Sequence, residues 1–447
     1  MTLAVFMTNL DLWIVNVALP AMGADFRASL GDLSWVLNAY AITLAALLVV
    51  AGRLGDRIGQ RPVFLAGVVI FTVASVACAA APTLGWLVAA RVLQAVGAAA
   101  QLPTSLGLLL AAVPEGRRTA ATRSWAAVGG LAAATGPVAG GLLVELDWRW
   151  VFLVNLPIGA LALIAGLIAL PRPAARESGP LPDLLGAVLV TAAVAALSGA
   201  LVEAPGWGWL SPGTLALAAL AVVTGAWFGL RSVRHHTPLL ELHLLRLPRF
   251  GSSGLGTMTF GVAFAIMLLS NVLWCQEVWH WSALRTGLAL VPGPALVPVV
   301  TILTVRAVHR FGHGRLVTVG GLLFATGMLW RVATVSAQPD YVRDLLPSLL
   351  LSGTGVGLTL GTLIAASVQS LPAERAATGS ALVNALRQVS ASIGVAVLVT
   401  IVGDRVTAGS VTDFRWAWAV AAVLAVATSV IGLTLSRPVP ALATATR

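Results

Sequence analysis

Apolar residues recur along this chain in runs of about 20, each long enough to cross a ~30 Å hydrocarbon core as a helix. The joints between them are short and rich in Arg, Gly and Pro. The runs fall at 3–22, 33–52, 63–81, 84–113, 123–144, 151–170, 184–201, 212–230, 251–274, 284–305, 316–336, 345–370, 378–402 and 414–435. They predict an all-α protein with fourteen transmembrane helices. The first run carries Asp11 and lacks a small-residue cleavage pattern, so it reads as a span and not as a cleavable signal peptide. Only Met1 and Thr2 precede it, which leaves a start further upstream open.

Composition supports the membrane reading. Of 447 residues, 58% are hydrophobic and 10% charged, about half the charge density of an ordinary soluble domain. One soluble core of this size is excluded, because cores stop growing near ~250 to 300 residues. The net charge of +10 comes from 27 Arg and no Lys. With the amino terminus cytoplasmic, eighteen Arg fall on inside joints, six on outside joints, and Arg91, Arg331 and Arg387 lie within runs. That asymmetry is a topology signal and not a nucleic-acid face, and it predicts an inner (plasma) membrane protein with both termini cytoplasmic. A phosphate-binding loop needs a Lys, so an ion gradient is the expected energy source, with no cofactor. HExxH and GxSxG are missing from the sequence, and no enzyme is expected. Cys78 and Cys275 show neither CxxC nor Cys/His spacing, so they read as apolar filler, with no disulfide and no metal site.

The chain also repeats itself. GRLGDRIGQRP (52–62) aligns with VRAVHRFGHGR (305–315), keeping Arg53/Arg306, Arg57/Arg310 and Gly59/Gly312, and VPEGRRTAAT (113–122) aligns with LPAERAATG (371–379). Two homologous six-helix halves, 1–170 and 251–447, then flank an inserted helix pair and cytoplasmic linker at 171–250. Parallel repeats of this kind mark transporters, with the substrate between the halves near mid-membrane.

Four segments carry a family resemblance: LDLWIVNVALP (10–20), GRLGDRIGQRP (52–62), RVLQAVGAA (91–99) and GPVAGG (136–141). They resemble signatures of the major facilitator superfamily, and with fourteen helices the chain is similar to its drug:proton antiporter branch. Ala95 and Ala132 stand where the family pattern has Gly. The resemblance covers nearly the whole chain. It implies a major facilitator fold of two six-helix bundles plus two inserted helices, monomeric in the lipid bilayer. It further implies proton-coupled export of amphipathic drugs, antibiotics or toxic compounds by alternating access. Export of one specific metabolite or antibiotic is the nearest alternative. A nutrient importer is disfavoured by GPVAGG, and a transport-inactive sensor or scaffold by Asp11, Arg91 and Asp56.

Asp11 lies nine residues into the first helix, roughly 13 Å deep and close to the midplane. A carboxylate there costs on the order of 2.5 to 3.5 kcal/mol on insertion scales, which makes it the candidate proton carrier. A structural acid neutralised by a neighbouring Arg is the alternative. Arg91 lies within side-chain reach of that level, and the resemblance implies that it tunes proton binding; a purely structural ion pair stays open. The resemblance makes Asp56, in the turn with Gly52, Arg57, Gly59 and Arg61, a gate latch that meets the helix end near Ala376. His309 occupies the matching position of the second half, and an ordinary topogenic loop is the rival reading. Gly136, Pro137, Gly140 and Gly141 permit a kink and close packing against the other half. The resemblance associates them with exporters, and small-residue packing alone is the alternative. Trp13, Asn16, Gln101, Asn155, Asn271, Trp274, Gln276 and Glu277 are candidates for the substrate cavity, with interfacial anchoring as the alternative for Trp and a solvated rim for Glu277. Arg387, about ten residues into its run, is expected to face the interior and support an anion or a partner residue. Arg331, nearer the outside, is expected to snorkel.

Overall fold

A computed structural model describes residues 1–114, 117–170, 183–236, 238–371, 376–403, 406 and 408–435. The first half contains α1 (Thr2–Phe26), α2 (Leu30–Ile58), α3 (Gln60–Ala79), α4 (Leu84–Ala112), α5 (Arg118–Leu146), α6 (Trp150–Leu153) and α7 (Asn155–Ala169). A hairpin of α8 (Leu184–Trp207) and α9 (Pro212–Arg234) follows. The second half contains α10 (Pro248–Leu273), α11 (Ala283–Leu290), α12 (Pro292–Thr334), α13 (Leu346–Gln369), α14 (Ala376–Val402) and α15 (Val411–Leu435). These helices make fourteen spans long and apolar enough to cross a membrane, as the hydrophobic pattern predicts. An even number of spans puts Thr2 and Leu435 at one membrane face, here called proximal; the other is distal.

The helices depart from the apolar runs where particular residues require it. The sixth run is broken at Val154, between α6 and α7, because Pro157 has no N–H to offer the Leu153 carbonyl. The tenth and eleventh runs remain separate spans, 283–304 and 310–334: within the range of α12, Gly312 has a non-helical backbone (φ 78°, ψ 161°) that turns the chain from one helix into the next. Gly59 does the same between α2 and α3 with φ 105°. Both angles favour glycine, so the Gly59/Gly312 sequence match is a match of backbone geometry. Side chains start several helices: Ser29 accepts from the Asp32 N–H, Thr83 from Trp86 and Ser211 from Thr214.

Apolar side chains crowd the outer surface, for example Ile168, Val222 and Val223 at 81, 71 and 62% exposure. Hydrocarbon, unlike water, accommodates that surface without cost. The halves meet where α5 packs on α11 and α12, α1 on α10 and α11, and α2 on α14. The inserted hairpin closes one flank, since α8 packs on α2 of the first half and α14 of the second. Its polar fastenings are Ser198 Oγ to Ser392 Oγ at 2.9 Å and Thr400 Oγ1 donating to the Leu201 carbonyl at 2.6 Å. At the proximal end, Arg231 of α9 pairs with Asp183, which caps α8.

Candidate functional site

Asp11 is fully buried in the first half, and four neighbouring helices converge on it. Arg91 of α4 places Nη1 2.5 Å from Oδ2, while Gln94 of α4 and Asn155 of α7 donate to Oδ1 at 2.9 and 3.0 Å. Ser75 of α3 ties the two amides together, accepting from Gln94 at 2.8 Å and from Asn155 at 3.3 Å. Arg91 is held from its other side: Nε donates to the Val36 carbonyl of α2, Nη1 also reaches Gln94 Oε1, and the guanidinium lies 4.1 Å over the Tyr40 ring.

A dry ion pair of this kind repays its desolvation only when further hydrogen bonds satisfy it. Here the carboxylate has its three donors, yet Arg91 Nη2, Asn155 Oδ1 and Tyr40 OH are buried with no partner among the described residues. The cluster is therefore satisfied around the carboxylate and open at its margin. A proton arriving at Asp11 would weaken the pull on Arg91 and free a donor. Among the described spans Asp11 is the one acid near mid-depth, because Asp25, Glu145, Glu203, Glu277 and Asp344 all lie toward helix ends.

The partly exposed stripe of α1 points elsewhere. Asn9, Trp13 and Asn16 retain accessible surface while Asp11 between them has none. At 100° per residue, Trp13 lies 200° around the helix from Asp11. The Trp13 ring meets Phe264 of α10 edge-on at 6.2 Å across the two halves, so this stripe faces the crevice between them. The acid and the crevice thus occupy opposite sides of one helix.

Gly136, Gly140 and Gly141 each allow a close approach. A Cβ at Gly140 would lie 3.0 Å from Ile14 of α1, and Gly136 abuts Trp13. On the far side of α5, a Cβ at Gly141 would lie 2.6 Å from the Ala283 carbonyl of α11, and Gly287 of α11 presses on the carbonyl of Pro137. Glu145 Oε1 accepts from the Leu284 N–H at 3.3 Å. The GPVAGG segment therefore packs α5 both on its own half and across the interface, at the distal end.

At the proximal end Asp56 is exposed, and its side chain accepts from Gln60 Nε2 at 3.5 Å. The expected docking point near Ala376 adjoins residues 372–375, which lie outside the described residues, as does the His309 side chain. Gly52 packs toward Pro103 of α4, Arg61 donates to the Leu167 carbonyl at 3.0 Å, and Arg53 donates to the Pro238 carbonyl at 2.8 Å. Arg57 is half-buried beside them.

Several cavity candidates are placed differently from expectation. Asn155 belongs to the Asp11 cluster. Gln101 is fully buried with both amide atoms unpartnered among the described residues. Trp274 is neither a wall nor an interfacial anchor: it is 1% exposed and stacks edge-on with Phe414 and Trp418. Gln276 and Glu277 sit half-buried in a π-turn after α10, and Gln276 donates to the Val17 carbonyl at 3.0 Å, spanning the halves. Asn16 turns its amide back to Leu12. Arg331 corrects the snorkelling expectation. It is fully buried in α12, bonded to Asn271 and Ser348 and facing the Trp418 ring at 5.8 Å, because the neighbouring spans of the second half enclose its level. Arg387 is half-buried in α14. Gln94, Ser75 and Tyr40 escaped the sequence reading, although Gln94 stands within the RVLQAVGAA segment that carries Arg91.

Fourteen spans, a two-half repeat and a mid-depth ion pair in the first half define a membrane transporter. The profile of the Major Facilitator Superfamily matches residues 1–395. The chain is 35% identical over 414 residues to the tetracenomycin C resistance and export protein of Streptomyces glaucescens, covering 92% of this chain and 76% of that protein. It is 35% identical over 398 residues to the multidrug resistance protein Stp of Mycobacterium tuberculosis, covering 89% and 73%. A POT family transporter crystallised with 5-aminolevulinic acid superposes with a TM-score of 0.72 over 98% of this chain and 96% of that one, at 15% identity, a likeness of fold alone. The chain belongs to the Major Facilitator Superfamily and is a multi-pass membrane protein.

Proposed function

We propose that this chain is a proton-coupled exporter of amphipathic drugs or antibiotics, and that Asp11 is its proton carrier. The observation that carries the reading is the Arg91–Asp11 pair, a costly mid-depth acid held by a cation and two amides on separate helices. Relatives named for antibiotic resistance and export support the direction of transport. With the proximal face cytoplasmic, an orientation the Arg asymmetry supports, the packing of α5 on α11 closes the outer end. The proton enters a cluster on one side of α1 and substrate occupies the crevice on the other. Coupling then passes through α1 itself: loss of charge at Asp11 loosens its hold on α4 and α7, and α1 carries that change to the inter-half face. Gly136, Pro137, Gly140 and Gly141 form the moving seal, and Asp56, with Gly52, Arg57, Gly59 and Arg61 around it, latches the cytoplasmic side in the opposite state. Residues 1–170 and 251–447 rock as the two halves, with 171–250 as a flanking insert.

The test is uptake of a fluorescent drug by everted vesicles with and without an imposed pH gradient. Accumulation that follows the gradient and collapses with an uncoupler is expected. Equal accumulation without any gradient, or none with it, overturns the proposal.

A further inference from the structure

A cation stands near mid-depth on α14 of the second half. Arg387 lies eleven residues beyond the start of α14, about 16 Å along the helix, and Trp13 stands equally far along α1. On α14, Ser390 and Gly394 pack on α10, while Ser392 and Thr400 bind α8. Beside the α10 face and opposite the α8 face, Ser380, Asn384, Arg387 and Ala391 follow at helical spacing and keep accessible surface, whereas Leu382, Val383, Ala385, Gln388 and Ser390 are buried. Arg387 keeps accessible surface at mid-depth, on the stripe that carries Ser380 and Asn384. Hydrocarbon is a costly neighbour for a guanidinium at that depth, so the space it touches is the crevice between the halves.

Among the described residues nothing neutralises this cation. No carboxylate pairs with it, and the one acid at comparable depth, Asp11, is committed to Arg91, Gln94 and Asn155 on the far side of α1. Aromatic surface stands close by. The Arg387 carbonyl lies against Gly261 of α10, one helical turn before Phe264, whose ring meets Trp13 across the interface. Asn384, one turn before Arg387, and Asn9 and Asn16 on α1 complete a polar edge.

Building on the exporter reading, we propose that the substrate is an aromatic acid, a planar compound whose carboxylate or acidic phenol pairs with Arg387 while its rings lie against Trp13 and Phe264. A guanidinium with no counter-charge among the described residues attracts such anions and repels lipophilic cations. A planar ring beside Trp13 and Phe264 gains offset or edge contacts.

The probes are a fluorescent polycyclic aromatic carboxylate, its neutral methyl ester and a rhodamine-type lipophilic cation. Each is measured for binding to the full-length purified protein and for gradient-driven transport in proteoliposomes. The unaltered protein is expected to bind the acid at least about tenfold more tightly than the ester. Arg387→Gln should abolish that preference by weakening the acid alone, Arg387→Lys should keep most of it, and Arg387→Glu should shift preference toward the cation. Equal affinity for acid and ester in the unaltered protein, or an equal loss of both in Arg387→Gln, overturns the inference. Gradient-driven transport of the cation or ester without preference for the acid would sink this inference and leave the exporter reading standing. Transport of no probe under any gradient, with the acid still bound preferentially, would count against the exporter reading alone.

Discussion

Arg91 and Asp11 meet at 2.5 Å with neither side chain reaching solvent, on the side of α1 turned away from the Trp13 ring. In the proposed mechanism, substrate and proton have separate addresses on one helix. Neutralising the acid should disturb the proton's address and spare the other.

Asp11→Asn keeps an oxygen to accept from Gln94 and Asn155 but cannot titrate. Gradient-driven efflux should be lost while substrate affinity stays unchanged. Removing one partner of a buried pair costs about 3 to 5 kcal/mol when the other charge is stranded. Arg91 retains the Val36 carbonyl, Gln94 Oε1 and the Tyr40 face, so the expected cost is nearer 1.5 to 3 kcal/mol, about the worth of one hydrogen bond to a charged group. Thermal stability of the purified variant measures this, and Arg91→Gln placed on top should recover part of it without restoring efflux. An Asp11→Asn protein that still concentrates substrate against a gradient would end the carrier role.

Span number, Asp11 and its level with Arg91 were legible in the sequence because each is written locally: a run of apolar residues, a charge inside it, a count of residues from its end. The spans were read better than their interiors, since Pro157 splits the sixth run between α6 and α7 and Val291 separates α11 from α12 within the tenth. The partners of Asp11 were less legible. Gln94, Ser75 and Asn155 are neutral, ordinary residues that gain their role only when α3, α4 and α7 converge, and one sequence holds no signal for that convergence. Arg331 was misread because depth was counted along its own helix, whereas burial came from Asn271, Ser348 and Trp418 on three others.

Asp183 links the inserted hairpin at the proximal end. Its burial raises the carboxyl, but the Gly186 N–H and Arg231 outweigh that and hold it below the usual carboxylate range. A depressed carboxyl contributes stability that is fully present above its unfolded value near 3.9 and is lost as pH falls through its folded value. Thermal stability in detergent should therefore drop on acidification below about pH 4, and Asp183→Asn, which can still cap α8, should lack that part of the drop. At neutral pH the same change should cost about 1 to 2 kcal/mol. An identical acid profile in the variant would remove Asp183 from the account.

Cys78 and Cys275 are both buried, so single introduced cysteines can report sidedness without removing them. Leu210, in the distal turn between α8 and α9, is 84% exposed, and His236, beyond α9 at the proximal end, is also exposed. In intact cells an impermeant maleimide should label Leu210→Cys and leave His236→Cys unlabelled until the membrane is opened. The reverse pattern would invert the assigned topology and place both termini outside.

Gly287 of α11 touches the Pro137 carbonyl of α5 so closely that a Cβ there would fall inside contact distance of the carbonyl oxygen and 3.3 Å from the Val138 Cα. Its obstacle is backbone of the opposite half, which cannot rotate aside, so the added methyl acts on the seal between halves more than on the fold of either. Overpacking of this kind costs about 1 to 3 kcal/mol, and 1.4 kcal/mol is a tenfold change in an equilibrium. Gly287→Ala should therefore shift the protein from the distally closed state toward the open one by roughly fivefold to a hundredfold, while expression and thermal stability change little. The readout is the rate at which an impermeant maleimide reaches Gln276→Cys, where the side chain now bridges to Val17 across the interface. Faster labelling in the Gly287→Ala background than in Gln276→Cys alone is the expected result. Gly85→Ala, where a Cβ meets nothing within 4 Å, serves as the control. Unchanged labelling with Gly287→Ala would mean that α5 and α11 yield without opening, and the seal would have to lie elsewhere.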